Sequence, residues 1–133
     1  MKKTITLISF ILFATQLFAQ IESGQVYRIV NAAYNRAVTE DYTTNKITTS
    51  ATVGTSANEW EQLWVVTNTS GSKYTFQNVF TRHYMSSLVY ESKQMTTNTT
   101  NSNNEFTIAT SAYDNDDYTL QGSTGQYAHC AAS

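Results

Sequence analysis

Val26-Tyr27-Arg28-Ile29-Val30-Asn31 opens a pattern that returns at Lys73-Tyr74-Thr75-Phe76-Gln77-Asn78 and at Asp117-Tyr118-Thr119-Leu120-Gln121-Gly122. Each copy sets a tyrosine two residues before a large apolar side chain, the period of a strand with one buried face. The tyrosines at 27, 74 and 118 lie 47 and 44 residues apart. Nine or ten residues beyond each, a second short strand is expected to start near Ala37, Tyr84 and Tyr127. The intervening turns carry Asn35, Thr81-Arg82 and Thr124-Gly125, residue types that suit tight reversals. Polar clusters at Asn68-Thr69-Ser70-Gly71-Ser72 and Asp114-Asn115-Asp116 precede the second and third copies.

A second landmark keeps the same order. Gln62-Leu63-Trp64 closes the first unit and Asn104-Glu105-Phe106 closes the second, with their aromatics 42 residues apart. Composition agrees with strands. Beyond residue 19 the only leucines are Leu63, Leu88 and Leu120, whereas Thr, Ser, Asn and Tyr abound. Thr and Tyr fit a pleated, half-buried surface better than a helix, and no window carries an apolar stripe at helical spacing. The fold class is all-β. The stretch from Asp41 to Asn58 reads as the longest loop.

Units of about forty residues with Tyr-x-Ile-x-Asn-like openings and a Gln-x-Trp closing element resemble the ricin-type β-trefoil lectins, from Gly24 onward. Gln62-x-Trp64 is the sharpest match and Asn104-x-Phe106 a degenerate one. The resemblance implies a β-trefoil of four-stranded repeats around a pseudo-threefold axis. It implies a core at Trp64 and Phe106, with Gln62 and Asn104 serving backbone groups and Tyr27, Tyr74 and Tyr118 as equivalent anchors. The repeats fall at about 24–67, 68–112 and, partially, 113–133. Only 15 residues follow Tyr118, so no third counterpart of Gln62-x-Trp64 is present and the third repeat is truncated. An open edge with apolar surface near Ala128 to Ala132 is expected, as in a fragment, a frame-interrupted reading, or a barrel completed by another chain.

The N-terminus has the three-part layout of a secretory signal peptide: Lys2 and Lys3, an apolar run from Ile5 to Phe13, then Ala14 to Ala19, with cleavage expected between Ala19 and Gln20. The run is too short for a membrane span. The expected location is secreted or periplasmic, and residues 20–133 suit one domain with one core. Without Lys2 and Lys3, six basic residues face ten acidic ones; no basic patch is present to bind nucleic acid. Cys130 is the only cysteine, so no internal disulfide is available.

Catalytic constellations are lacking. His83 and His129 are the only side chains that titrate near neutrality, no Gly-x-Ser-x-Gly accompanies them, and Cys130 beside His129 makes an awkward dyad. Zinc would need more Cys or His ligands than the three present. Asp114-Asn115-Asp116-Asp117 lacks the glycine and the final acid of a calcium loop. Glu59 and Glu61, on a strand, would share one face opposite Trp60. A non-enzyme without metal or cofactor is expected.

Sugar recognition needs an aromatic face and hydrogen-bonding groups aimed at hydroxyls. The resemblance implies an Asp just past the opening of the second strand, an aromatic in mid-repeat, and an Asn before Gln-x-Trp. In the first repeat the Asp position falls on Thr39, with Glu40 and Asp41 directly behind it. The aromatic position falls near Ser50, with Tyr42 close in sequence, and the Asn position falls on Glu61. In the second repeat these positions are Ser86, Tyr90 and Asn103, of which Asn103 matches outright. His129 takes the Asp position of the third. No repeat keeps the set intact. The implied function is a secreted carbohydrate-binding module for a glycan or polysaccharide, appended to or derived from a larger glycan-acting parent enzyme. The competing reading is a protein–protein interaction or structural β-trefoil without a sugar site.

Overall fold

The computed structural model describes residues 21–31, 33–51, 59–112 and 117–128. The signal peptide with its cleavage point, Asp114-Asn115-Asp116, His129 and Cys130 lie outside the described residues.

Ten strands account for the architecture: β1 (Gln25–Arg28), β2 (Val30–Asn31), β3 (Arg36–Asp41), β4 (Lys46–Ala51), β5 (Leu63–Ser70), β6 (Lys73–Asn78), β7 (Tyr84–Met85), β8 (Thr97–Asn98), β9 (Phe106–Thr110) and β10 (Tyr118–Gln121). All pairings are antiparallel. β5 lies between β1 and β6, and β9 lies between β6 and β10; β2, β3 and β4 form a separate three-stranded sheet. Two sequence expectations are corrected. The stretch after Asp41 is a hairpin, because the alternating Lys46–Ala51 segment pairs along all of β3. Glu59 and Glu61 sit on a single 3-10 turn, Glu59–Gln62, rather than on a strand. Its Glu59 accepts a hydrogen bond from Arg28 at 2.9 Å.

The registers of the first two units coincide. Tyr27 stands opposite Trp64 and Tyr74 opposite Phe106. Val66 stands opposite Phe76 and Ile108 opposite Leu120. Where the second strand begins, Val30 pairs with Ala37, Gln77 with Tyr84 and Gln121 with Tyr127. The turns between them put Asn35, Arg82 and Gly125 at φ of 49°, 64° and 83°, the left-handed region that Asn and Gly enter most cheaply.

Alternation buries one face of these strands into a shared core of Trp64, Val66, Phe76, Met85, Val89, Phe106 and Ile108, with Ile47 from β4. Trp64 and Phe106 have no exposed surface, as the spacing requires. The Trp64 indole N–H donates to the Val38 carbonyl at 3.1 Å, which lets a ring with a polar edge be buried without an unsatisfied donor. Phe76 and Phe106 meet edge to face at 5.5 Å. Tyr118, the third anchor, is 40% exposed.

The turn after β10 explains one departure from the repeat. Asn31 and Asn78 are followed in register by Gly122, and a Cβ there would lie 2.3 Å from the Ser87 carbonyl oxygen and 2.7 Å from Val89 Cγ2. The second and third units approach too closely at this point for any side chain.

Candidate functional site

Asp41 ends β3 and its carboxylate closes the turn into β4. Oδ1 accepts from the Thr43 amide at 3.0 Å and the Thr43 hydroxyl at 2.6 Å, while Oδ2 accepts from the Thr44 hydroxyl at 2.7 Å. These donors, the Thr43 hydroxyl foremost, hold its pKa below the ordinary carboxylate value. Asn45 completes the reversal at φ 55°. The turn presents Tyr42 at 51% exposure.

Opposite Tyr42 stands Phe80 from the second unit, 62% exposed. The two rings meet edge to face with centroids 6.1 Å apart and planes at 79°. A single buried side chain positions Phe80 and the neighbouring 3-10 turn together. Asn78 Oδ1 accepts from the amides of Phe80 and Thr81 at 2.9 and 3.1 Å, and its Nδ2 donates to the carbonyls of Trp60 and Glu61 at 3.3 and 3.2 Å. Trp60 is 58% exposed. Partial burial, and then the negative fields of Asp41 and Glu40, push the Glu61 pKa up. Asp41 and Glu61 thus share one electrostatic neighbourhood with the Tyr42–Phe80 pair.

The other candidates of the first repeat are enclosed. The Thr39 hydroxyl donates to the Ala37 carbonyl at 3.0 Å and lies 2.7 Å from Ser50 Oγ, which also accepts from Gln62 Nε2 at 2.8 Å. The structure therefore brings the Thr39, Ser50 and Gln62 positions together, but as a chain of internal hydrogen bonds. Glu40 has no exposed surface. Its Oε1 accepts from His83 Nδ1 and Thr97 Oγ1, both at 2.7 Å, and its Oε2 accepts from Thr81 Oγ1 at 2.5 Å. This carboxylate joins β3 to the turn and short strands of the second unit, and all its near donors are protein. Ser87 holds the corresponding place one unit later, where its hydroxyl donates to Ser123 Oγ at 3.2 Å.

In the second repeat the candidates stay apart. Ser86 is buried, and its hydroxyl accepts from the Leu88 amide at 3.3 Å. Tyr90 is 45% exposed with the Lys93 ammonium 5.1 Å from its ring centroid. Asn103 is exposed at φ 53°, and its carbonyl accepts from the Ser87 amide at 2.7 Å. No hydrogen bond or ring contact joins these three. Asn104 is buried, with its Nδ2 donating to the Thr100 carbonyl at 2.9 Å. Sequence reasoning missed Phe80 and the organising role of Asn78. The recurrence of Asn at 31 and 78, four residues after an anchor tyrosine, was the available signal for the latter.

No protein-family model matches the chain, and no curated protein matches it. Among solved structures it is similar to the BEL beta-trefoil, at 13% identity and TM-score 0.64 over 80% of this chain and 75% of that one. It is also similar to the Polyporus squamosus lectin bound to the human-type influenza-binding epitope Neu5Aca2-6Galb1-4GlcNAc. That match has 16% identity and TM-score 0.65, and it covers 81% of this chain but only 40% of the lectin, so the chain spans less than half of that protein's length. These likenesses, with the matching registers of the units, define the fold as a β-trefoil.

Proposed function

We propose that the chain is a non-catalytic carbohydrate-binding module whose glycan lies on the Tyr42–Phe80 rings with its hydroxyls toward Asp41 and Glu61. The observation that carries this reading is the exposed edge-to-face pair formed across two repeats beside two carboxylates. A pyranose offers an apolar C–H face to an aromatic ring and hydroxyl donors to carboxylate acceptors. Two carboxylates favour a neutral, hydroxyl-rich glycan over an acidic one. A β-trefoil neighbour crystallised with a glycan supports the class of ligand at the level of fold. Export into the periplasm or medium, and attachment to a larger glycan-acting protein, fit such a module and belong to the same proposal.

A glycan array followed by calorimetry on the best neutral ligand tests it. Tyr42→Ala and Phe80→Ala each weaken binding at least tenfold, and Glu61→Gln weakens it less. Silence across neutral glycans, or binding that ignores all three substitutions, overturns the reading.

A further inference from the structure

The two filled joints of the barrel obey one rule. In β5, Trp64 faces Tyr27 of its own unit, and Val66, two residues on, faces Phe76 of the next. In β9, Phe106 faces Tyr74 and Ile108 faces Leu120 in the same way. All four inward residues are buried, at 0, 2, 0 and 8% exposure. Applied a third time, the rule places a strand between β10 and β1, with its aromatic opposite Tyr118 and its aliphatic residue opposite Ile29.

Among the described residues no strand stands there, and β1 and β10 are the two ends of the barrel's strand order. The space is instead an apolar cavity of about 1170 Å³, lined by Tyr27, Ile29, Val66, Phe76, Ile108 and Leu120 among others. Pockets for small molecules run to roughly 300–1,000 Å³, so a polypeptide segment is the better fit in size. None of Tyr42, Phe80, Asp41 and Glu61 lines it; it is separate from the proposed glycan face. Residues 129–133 reach at most about 18 Å when extended, whereas 26 residues lead from Val38 to Trp64 in the first unit. A folded second copy has no such strand to offer, because its β5 and β9 are already paired on both edges.

We propose that the groove between β1 and β10 binds an extended segment of another polypeptide carrying an aromatic residue and, two positions on, an aliphatic one. The segment adds to both strand edges through backbone hydrogen bonds, and the two inward side chains enter the cavity. Edge pairing supplies affinity, and the alternating pockets supply selectivity.

The chain's own β5 sequence is the probe. A fluorescein-labelled peptide of Gln-Leu-Trp-Val-Val-Thr-Asn-Thr-Ser, residues 62–70, is titrated with the full chain and followed by anisotropy. Saturable one-to-one binding is expected. It weakens at least tenfold in a peptide carrying Trp64→Asp, and equally in one with Leu63 and Trp64 exchanged, which moves the aromatic to the outer face. Hydrogen exchange at the β1 and β10 amides slows on binding, while that at β8 is unchanged. Absence of saturation, equal binding of all three peptides, or a dimer whose β1 and β10 amides are protected without peptide would each overturn the proposal.

Discussion

Replacing Glu40 by alanine removes an acceptor that three donors share: His83 Nδ1 at 2.7 Å, Thr97 Oγ1 at 2.7 Å and Thr81 Oγ1 at 2.5 Å. The carboxylate has no exposed surface, so water does not replace it without opening the interface between the units. Breaking a buried charged pair from one side costs about 3–5 kcal/mol, a large share of the roughly 5–15 kcal/mol that holds a small domain folded. At about 4 °C per kcal/mol for a domain of this size, Tm falls by about 12–20 °C. Glu40→Gln keeps the shape and one carbonyl acceptor for His83 and Thr97. Its new amide N–H faces Thr81 Oγ1, which must then accept rather than donate, so the cost is about 1–3 kcal/mol. Urea and thermal melts followed by circular dichroism give both numbers, with the urea m-value unchanged. If Glu40→Ala lies within about 0.5 kcal/mol of the native chain, the range of an ordinary surface substitution, the account of Glu40 as an internal tie between units is refuted.

The remaining expectations concern single contacts. Asn78→Ala leaves two amides without their acceptor and two carbonyls without their donor; stability falls by about 2–3 kcal/mol, and glycan binding falls with it because Phe80 loses its seat. Tyr42→Ala, by contrast, loses binding with a melting curve close to native. Gly122→Ala drives a methyl group into the Ser87 carbonyl and Val89, which costs about 1–3 kcal/mol by overpacking; a melting temperature equal to native would contradict that close approach. Glu61 has a pKa raised by burial and neighbouring charge, so the folded state binds its proton more tightly than the unfolded state. Its contribution is therefore most favourable below the ordinary value of 4.5 and is lost as pH rises through the raised pKa. Glu61→Gln accordingly raises Tm at neutral pH, and the gain disappears in acid; a gain that grows on acidification would reverse the sign of the argument.

The parts of the fold legible in the sequence were those with a local signature. Tyr27, Tyr74 and Tyr118 mark strands through two-residue alternation, and Trp64 and Phe106 are large apolar side chains at fixed distances from them. The pairings of Val30 with Ala37, Gln77 with Tyr84 and Gln121 with Tyr127 follow from the same spacing. The site was less legible because its decisive contacts are long-range. Glu40 and Asp41 are adjacent acids with nothing local to separate them. The first is buried by donors 41, 43 and 57 residues away, whereas the second faces solvent and its own turn. Phe80 became visible only when the turn after β6 was brought against the β3–β4 hairpin. Strands as short as Tyr84–Met85 and Thr97–Asn98 carry too few residues for a periodic signal.

The claim on which all of this rests is that equivalent units close their aromatic residues into one interior, and Trp64 reports on it directly. The chain has two tryptophans, and the other, Trp60, is largely exposed; a Trp60→Phe variant leaves Trp64 as the sole reporter. Short-wavelength emission that iodide fails to quench, persisting until the cooperative unfolding transition, is the predicted result. Long-wavelength, freely quenched emission from the native chain would place Trp64 in water and contradict the account.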